Sequence, residues 1–241
     1  MWKNSLRDID GVRQARSALQ LTRSPLFHAL IVYSALLVFS LALPCRADTN
    51  APVPFPVDAA FLAQQRILSS GKVISAWRVR DNDGDHVLVL ARQAGPSPEN
   101  PEWGRIEHIE LRAAFYTSTA MGWKPAWTIY DIVDCPNLDS SADFFPGAVT
   151  FTDLNGDGRV EATVAYHMFC GGGIDTHTVK VILREGATKL AIRGESTMIY
   201  PGQEPFGGEH QYDKALLQPD RATYRKHMDR VWQDVSVMHI R

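Results

Sequence analysis

From residue 72 to about residue 193, apolar and polar side chains alternate with a period of two. The alternation is clearest over 105–116, where Ile109, Leu111, Ala113 and Phe115 interleave with His108, Glu110 and Arg112. Such a stretch buries one face of a strand and wets the other. The same reading predicts strands over 72–80, 86–93, 127–133, 148–153, 160–170, 177–184 and 189–193. The first two flank Asp81-Asn82-Asp83-Gly84-Asp85, which reads as a hairpin turn. Gly171-Gly172-Gly173 and Glu185-Gly186 mark further turns, and 95–104 (GPSPENPEWG) reads as a loop.

The pattern changes at both ends of this region. Phe61, Leu62 and Ile67 fit one face of a short helix over 58–68. Tyr224, Met228, Val231, Trp232 and Val235 follow helical spacing, with Arg221, Arg225, Lys226, Asp229 and Arg230 opposite. Pro219 suits the start of that helix, expected over about 219–237. The predicted fold is mainly β, an antiparallel meander, sandwich or partial barrel, with the C-terminal helix packed on it. At the margin this is α+β.

Ahead of this domain, Lys3, Arg7, Arg13, Arg16 and Arg23 precede an apolar run over 26–43, then Cys45 and Ala47 before a polar stretch. A basic lead, an apolar run and small residues before a break form a secretory signal, read here as 1–47. The run also reaches the lower length limit for an uncleaved anchor over 26–43. Residues 48–57 (DTNAPVPFPV) read as a proline-rich tether, and 58–241 as a single domain.

Removing 1–47 takes six basic and two acidic side chains from totals of 25 and 27, leaving 19 and 25, a net charge of -6. That balance disfavours nucleic acid and anionic lipid, which need a basic footprint. Contact with a membrane is expected only if the leader is retained. Of the three cysteines, Cys135 and Cys170 remain, and in an oxidising compartment they pair most simply as one disulfide. The expected location is the periplasm or the exterior.

Asp153-Leu154-Asn155-Gly156-Asp157-Gly158-Arg159-Val160-Glu161 carries the most specific chemistry. Side-chain oxygens fall at positions 1, 3, 5 and 9, with glycine at position 6 and the Arg159 carbonyl at position 7. Calcium takes six to eight hard oxygen ligands, and a tight loop aims alternate residues inward to supply them. The metal ligands expected are therefore Asp153, Asn155, Asp157, Arg159 and Glu161. Position 12 is Val164, so the bidentate glutamate of an EF-hand is missing, and the flanks read as strands. With its flanks (VTFTDLNGDGRVEATVAY) the loop resembles the strand-loop-strand calcium unit of FG-GAP and VCBS-type repeats. Asp81, Asp83 and Asp85 form a degenerate second copy at best. The resemblance implies weak, structural calcium binding.

Over 127–200, the stretches WTIYDIVDCP, TDLNGDGRVEATVAYHMFC and KVILREGATKLAIRGES resemble an uncharacterised family of exported bacterial proteins loosely associated with surface polysaccharide biosynthesis. That family implies the envelope as location and offers no catalytic residues to transfer.

Two other groupings of chemistry-bearing residues stand out. His167, Cys170, Asp175 and His177 can be drawn as a zinc site, but Cys170 is better used in the disulfide, which leaves histidines flanking a loop. Glu107, Glu110, Asp131 and Asp134 can be drawn as a glycosidase acid/base pair, which depends on spatial separation. The leading expectation is a non-enzymatic, calcium-stabilised binding or structural domain whose partner is an envelope component, polysaccharide or protein. The alternatives are a hydrolase of an envelope polymer and a membrane-anchored interaction module.

Overall fold

The computed structural model describes residues 52–240, so the expected leader and the first residues of the tether lie outside the described residues. In chain order the elements begin with β1 (Phe55–Pro56), α1 (Ala59–Gln64), β2 (Lys72–Asp81), β3 (Gly84–Gly95), β4 (His108–Thr119) and β5 (Gly122–Asp134). They continue with β6 (Asp139–Phe144), β7 (Thr150–Thr152), β8 (Glu161–Gly171), β9 (Thr178–Glu185) and β10 (Thr188–Glu195). The last are β11 (Thr197–Ile199), β12 (Phe206–Gly207), β13 (His210–Tyr212), α2 (Ala222–Val235) and β14 (Val237–His239).

The strands form two main sheets. The first runs β1-β2-β3-β4-β5 in chain order, an antiparallel meander. The second has the order β13-β10-β9-β8-β6, with β7 also pairing β8. A third, small sheet runs β12-β11-β14, and its β11–β14 pair is parallel. The expected antiparallel β-rich fold with a C-terminal helix is observed, as layered sheets and not as a closed barrel.

Alternation decides which side chains meet. Leu88 and Leu90 of β3, Ile109, Leu111 and Phe115 of β4, and Trp127 and Ile129 of β5 face one way. They meet Val164 and Tyr166 of β8 and Ile182 of β9, forming the core between the two sheets. The opposite face of the second sheet carries Val179, Val181, Leu183, Leu190 and Ile192, all covered by α2 through Tyr224, Met228, Val231, Trp232 and Val235. The helical stripe predicted for the C-terminus is thus the buried face of α2. His227 adds a polar pin, its Nε2 lying 3.0 and 3.1 Å from the hydroxyls of Thr150 and Thr163. On the outer side of the first sheet, Leu62 and Ile67 cover Val87 and Val89. Asp58 starts α1 by accepting the Phe61 N–H at 2.8 Å, an N-cap that leaves one fewer orphan donor.

Local departures from the predicted pattern have local causes. The proline-rich stretch ends inside the first sheet, as Phe55–Pro56 against Trp77 and Arg78. Proline tolerates that edge because it has no ladder N–H to lose. Pro219 opens a 3-10 turn, Pro219–Arg221, before α2 begins. Cys135, just after β5, is disulfide-bonded to Cys170 on β8, tying one main sheet to the other. No helix among the described residues is long and apolar enough to cross a membrane.

Candidate functional site

Two turns with the same aspartate-rich chemistry meet at one end of the sandwich. The first closes the β2–β3 hairpin, with Asp81 paired to Gly84 across it. The second is the 153–161 loop between β7 and β8. The Asn82 N–H donates to the Gly158 carbonyl at 3.0 Å, and the Asp81 carboxylate accepts the Val160 N–H at 2.9 Å. Arg159 pairs with Asp83 at 2.6 Å. The contact is close enough that a Cβ on Gly158 would lie 1.9 Å from Asn82 Nδ2. Gly158 also has φ +76°, so glycine is required there on two counts.

Inside the loop, short-range bonds fix the turn. Asp153 accepts the Gly158 N–H, Asn155 accepts the Asp157 N–H, and Asp157 accepts the Arg159 N–H, at 2.8–3.0 Å. Glu161 is the first residue of β8 and is fully buried. One of its oxygens accepts the Leu154 N–H and the Thr152 hydroxyl, at 2.8 and 3.0 Å. Its other oxygen, Oε1, has no partner, and neither does the buried Oδ1 of Asp153. Glu161 stands directly opposite Glu185 in the β8–β9 ladder, a like-charge pair that ordinarily weakens a sheet. Burial above all, with the Glu185 and Asp153 charges adding, pushes the Glu161 carboxyl above the usual carboxylate range. Glu185 itself is held by Arg221, Tyr224 and Asn155, at 3.1, 3.0 and 2.6 Å.

The predicted ligand residues are therefore drawn into one loop, but not yet onto one point. Among the described residues no group of three or more His, Cys, Asp or Glu is arranged to hold a metal ion. Asn155 and Asp157 instead spend their side chains on the turn and on Glu185, and the Arg159 side chain reaches Asp83. The two orphaned oxygens, at positions 1 and 9, are nonetheless what a hard cation requires, since each is a buried carboxylate oxygen short of a positive partner. Both are hard oxygen donors of the kind calcium takes, two against its usual shell of about six to eight.

The interlocked turns form one wall of a cleft of about 390 Å³. Asp81, Asp83, Asp157 and Arg159 line that wall. The β9–β10 turn contributes Glu185 to Thr188, and Arg221 comes from the turn before α2. His86, Phe115 and Trp127 close the floor as a stack, with ring centroids 5.0 and 4.9 Å apart. Trp127 is only 7% exposed, so it supports the floor and offers little free face. Every carboxylate in the cleft is committed: Asp81 to His86 at 2.7 Å and to Val160, Asp83 to Arg159, Asp157 within the loop, and Glu185 to Arg221. Burial opposes ionisation of Asp81, but the Val160 N–H and His86 outweigh it and hold its carboxyl below the ordinary range.

The other groupings come apart in space. Asp131 faces the core between the sheets, where it accepts from Tyr166 and Lys180. Glu110 and Asp134 lie on the opposite face of the first sheet, on either side of His108. Glu107 is fully buried, with Oε1 accepting the Asn137 N–H at 3.1 Å. These four do not converge on a common cleft. Cys170 is in the disulfide and unavailable to metal, whereas His167 and His177 touch.

Sequence reasoning missed His86, Glu185 and Arg221 as parts of one cleft. The aspartates at 81–85 were the only available signal, because nothing in the local pattern brings three distant segments together. The chain matches no protein-family model, no curated protein and no solved structure.

Proposed function

We propose that the protein is exported and acts in the cell envelope as a non-enzymatic binding domain. In this reading the 153–161 loop takes a structural calcium ion, and the cleft beside it takes a hydroxyl-rich ligand such as a surface polysaccharide. The observation that carries this is the pair of buried, unpartnered carboxylate oxygens on Asp153 and Glu161, in a loop that walls the cleft. Asp153 and Glu161 would hold the ion, with Asn155 and Asp157 turning to it from their present hydrogen bonds. That reorganisation points to weak affinity, on the order of 0.1–1 mM, the range of extracellular calcium modules. The ion would neutralise clustered carboxylates and fix the cleft wall. Alternating donors and acceptors along the cleft, Arg159 and Arg221 beside Asp81, Asp83 and Asp157, suit a ligand whose hydroxyls both give and accept hydrogen bonds. Disulfide formation between Cys135 and Cys170, the signal-like leader and the resemblance to an exported family support the location.

Calcium is expected to raise the melting temperature at millimolar concentration relative to chelator, with no such rise in Asp153→Ala. Glu161→Gln should melt higher than the parent in chelator and lose the calcium response. The amide oxygen keeps both hydrogen bonds while the buried charge disappears. The pH dependence has a definite sign. The folded-state pKa of Glu161 lies above its unfolded value, so the folded protein binds more protons between the two. Stability without calcium therefore falls as pH rises through the folded pKa. Identical melting curves with calcium and with chelator would refute the calcium assignment.

The ligand assignment is tested separately, by titrating the mature domain with cell-surface polysaccharide in calcium and in chelator. Saturable binding that is stronger in calcium, and about tenfold weaker in Arg159→Ala, is the expected result. A second reading, hydrolysis of an envelope polymer, is favoured only by the number of carboxylates in the cleft. Release of new reducing ends during the same incubation would replace the binding reading with the hydrolytic one.

A further inference from the structure

Two histidines meet on the face of the second sheet that α2 partly covers. His167 on β8 pairs in register with Val179 on β9, which places His177, two residues earlier, diagonally beside it on the same face. The two imidazoles approach through their Nδ1 atoms, 3.1 Å apart. Two nitrogens each about 2.0–2.1 Å from one ion stand about 2.9 Å apart at a right angle and about 3.4 Å apart at the tetrahedral angle. The observed separation falls between those values. We propose that His167 and His177 form a two-histidine chelate for a late first-row divalent metal, with Cu2+ held most tightly and Zn2+ less so.

The surroundings favour this ligand pair. His167 is kept neutral by burial first and by its neighbour His177 second, which lower its pKa to about 4, and burial also lowers His177. Neutral imidazole is the form that binds metal. The rings are held in place by aromatic contacts: Phe169 stacks on His177 at 4.6 Å, and Phe145 lies 5.4 Å from His167. The backbone N–H of His177 is fixed by the Ser196 hydroxyl at 2.9 Å. Asp143 stands directly opposite His167 in the β6–β8 ladder and adds negative charge to the same face, while Arg92 approaches Asp143 at 3.9 Å. Without metal, one Nδ1 donates its hydrogen to the other. Binding needs one ring to change tautomer, so that both carry hydrogen at Nε2 and both present a lone pair at Nδ1. No proton is lost in that exchange. Water completes the coordination, since the described residues hold no third ligand already in place.

The test is titration of the disulfide-intact protein with Cu2+ in calcium-saturated buffer, so that the 153–161 loop and this site are read apart. One copper per chain is expected, with two equivalent nitrogen ligands in the electron paramagnetic resonance spectrum. His167→Gln and His177→Gln should each weaken binding about tenfold or more, while His210→Gln should leave it unchanged. If the histidine variants fail to fold, imidazole nitrogen shifts of the unmutated protein in Zn2+ decide the matter. Selective movement of the two Nδ1 signals supports the site. Absence of saturable copper binding, unchanged affinity in both variants, or shifts confined to other histidines would each overturn it.

Discussion

Replacing Cys135 and Cys170 together with alanine should lower the stability of the folded domain by roughly 3–4 kcal/mol, the value the chain-entropy model gives for a loop of this length. The two cysteines are 35 residues apart in sequence and join the end of β5 to β8, so the bond spans the two main sheets. In the unfolded chain it shortens the accessible ensemble, and in the folded one it sits where Cys135 is buried in the inter-sheet core. Urea unfolding with and without reductant measures the effect. The denaturant slope should also steepen once the cross-link is gone, because the released chain exposes more surface. Equal unfolding free energies, slope times midpoint, for the parent and the double variant would show that the bond contributes nothing. Two titratable thiols in the oxidised, denatured protein would show that it does not form.

Gly158→Ala carries the next largest expected loss, about 2–3 kcal/mol, of which roughly 1–2 belong to the left-handed backbone alone. The remainder comes from the new Cβ driving Asn82 off the loop, since it would sit 1.9 Å from Nδ2 and 2.8 Å from Cγ of that side chain. Gly156→Ala is the internal control. Its φ is +74°, nearly the same, yet nothing lies within 4 Å of its would-be Cβ. The difference between the two variants therefore isolates the docking of the β2–β3 turn against the 153–161 loop. Equal losses in chemical denaturation would mean that the turns do not lean on each other in solution.

Legibility in the sequence follows the range over which each feature is specified. β4 was readable from its alternation, and β3, β8 and β9 from longer apolar runs whose two faces are both buried. β6 was not: in DSSADF only Ala142 and Phe144 turn inward, and its partner β8 lies well beyond any local pattern. β11 and β14 are three residues each and exist because they find one another across the chain, a pairing that no local pattern announces. The helix was legible from its stripe but overrun by two residues, since Val237 belongs to β14. At the site, each aspartate-rich turn was visible separately, from residue types at fixed offsets. Their interlocking was not, because it joins groups some 75 residues apart, the Asn82 N–H on the Gly158 carbonyl, the Val160 N–H on the Asp81 carboxylate and Arg159 on Asp83, and no local pattern announces such a meeting. Proximity along the chain groups the histidines at 167 and 177 with Cys170 and Asp175. The sheet keeps the pair and gives the cysteine to another bond.

The position of α2 has a consequence for how the molecule is born. Val179, Val181, Leu183, Leu190 and Ile192 are present as soon as β9 and β10 have been made, yet their cover ends only at Val235. A chain that emerges N-terminus first carries a bare, sticky β-surface throughout the interval between them. That interval is when a chaperone has something to hold, and when a nascent copy is most prone to adhere to its neighbours.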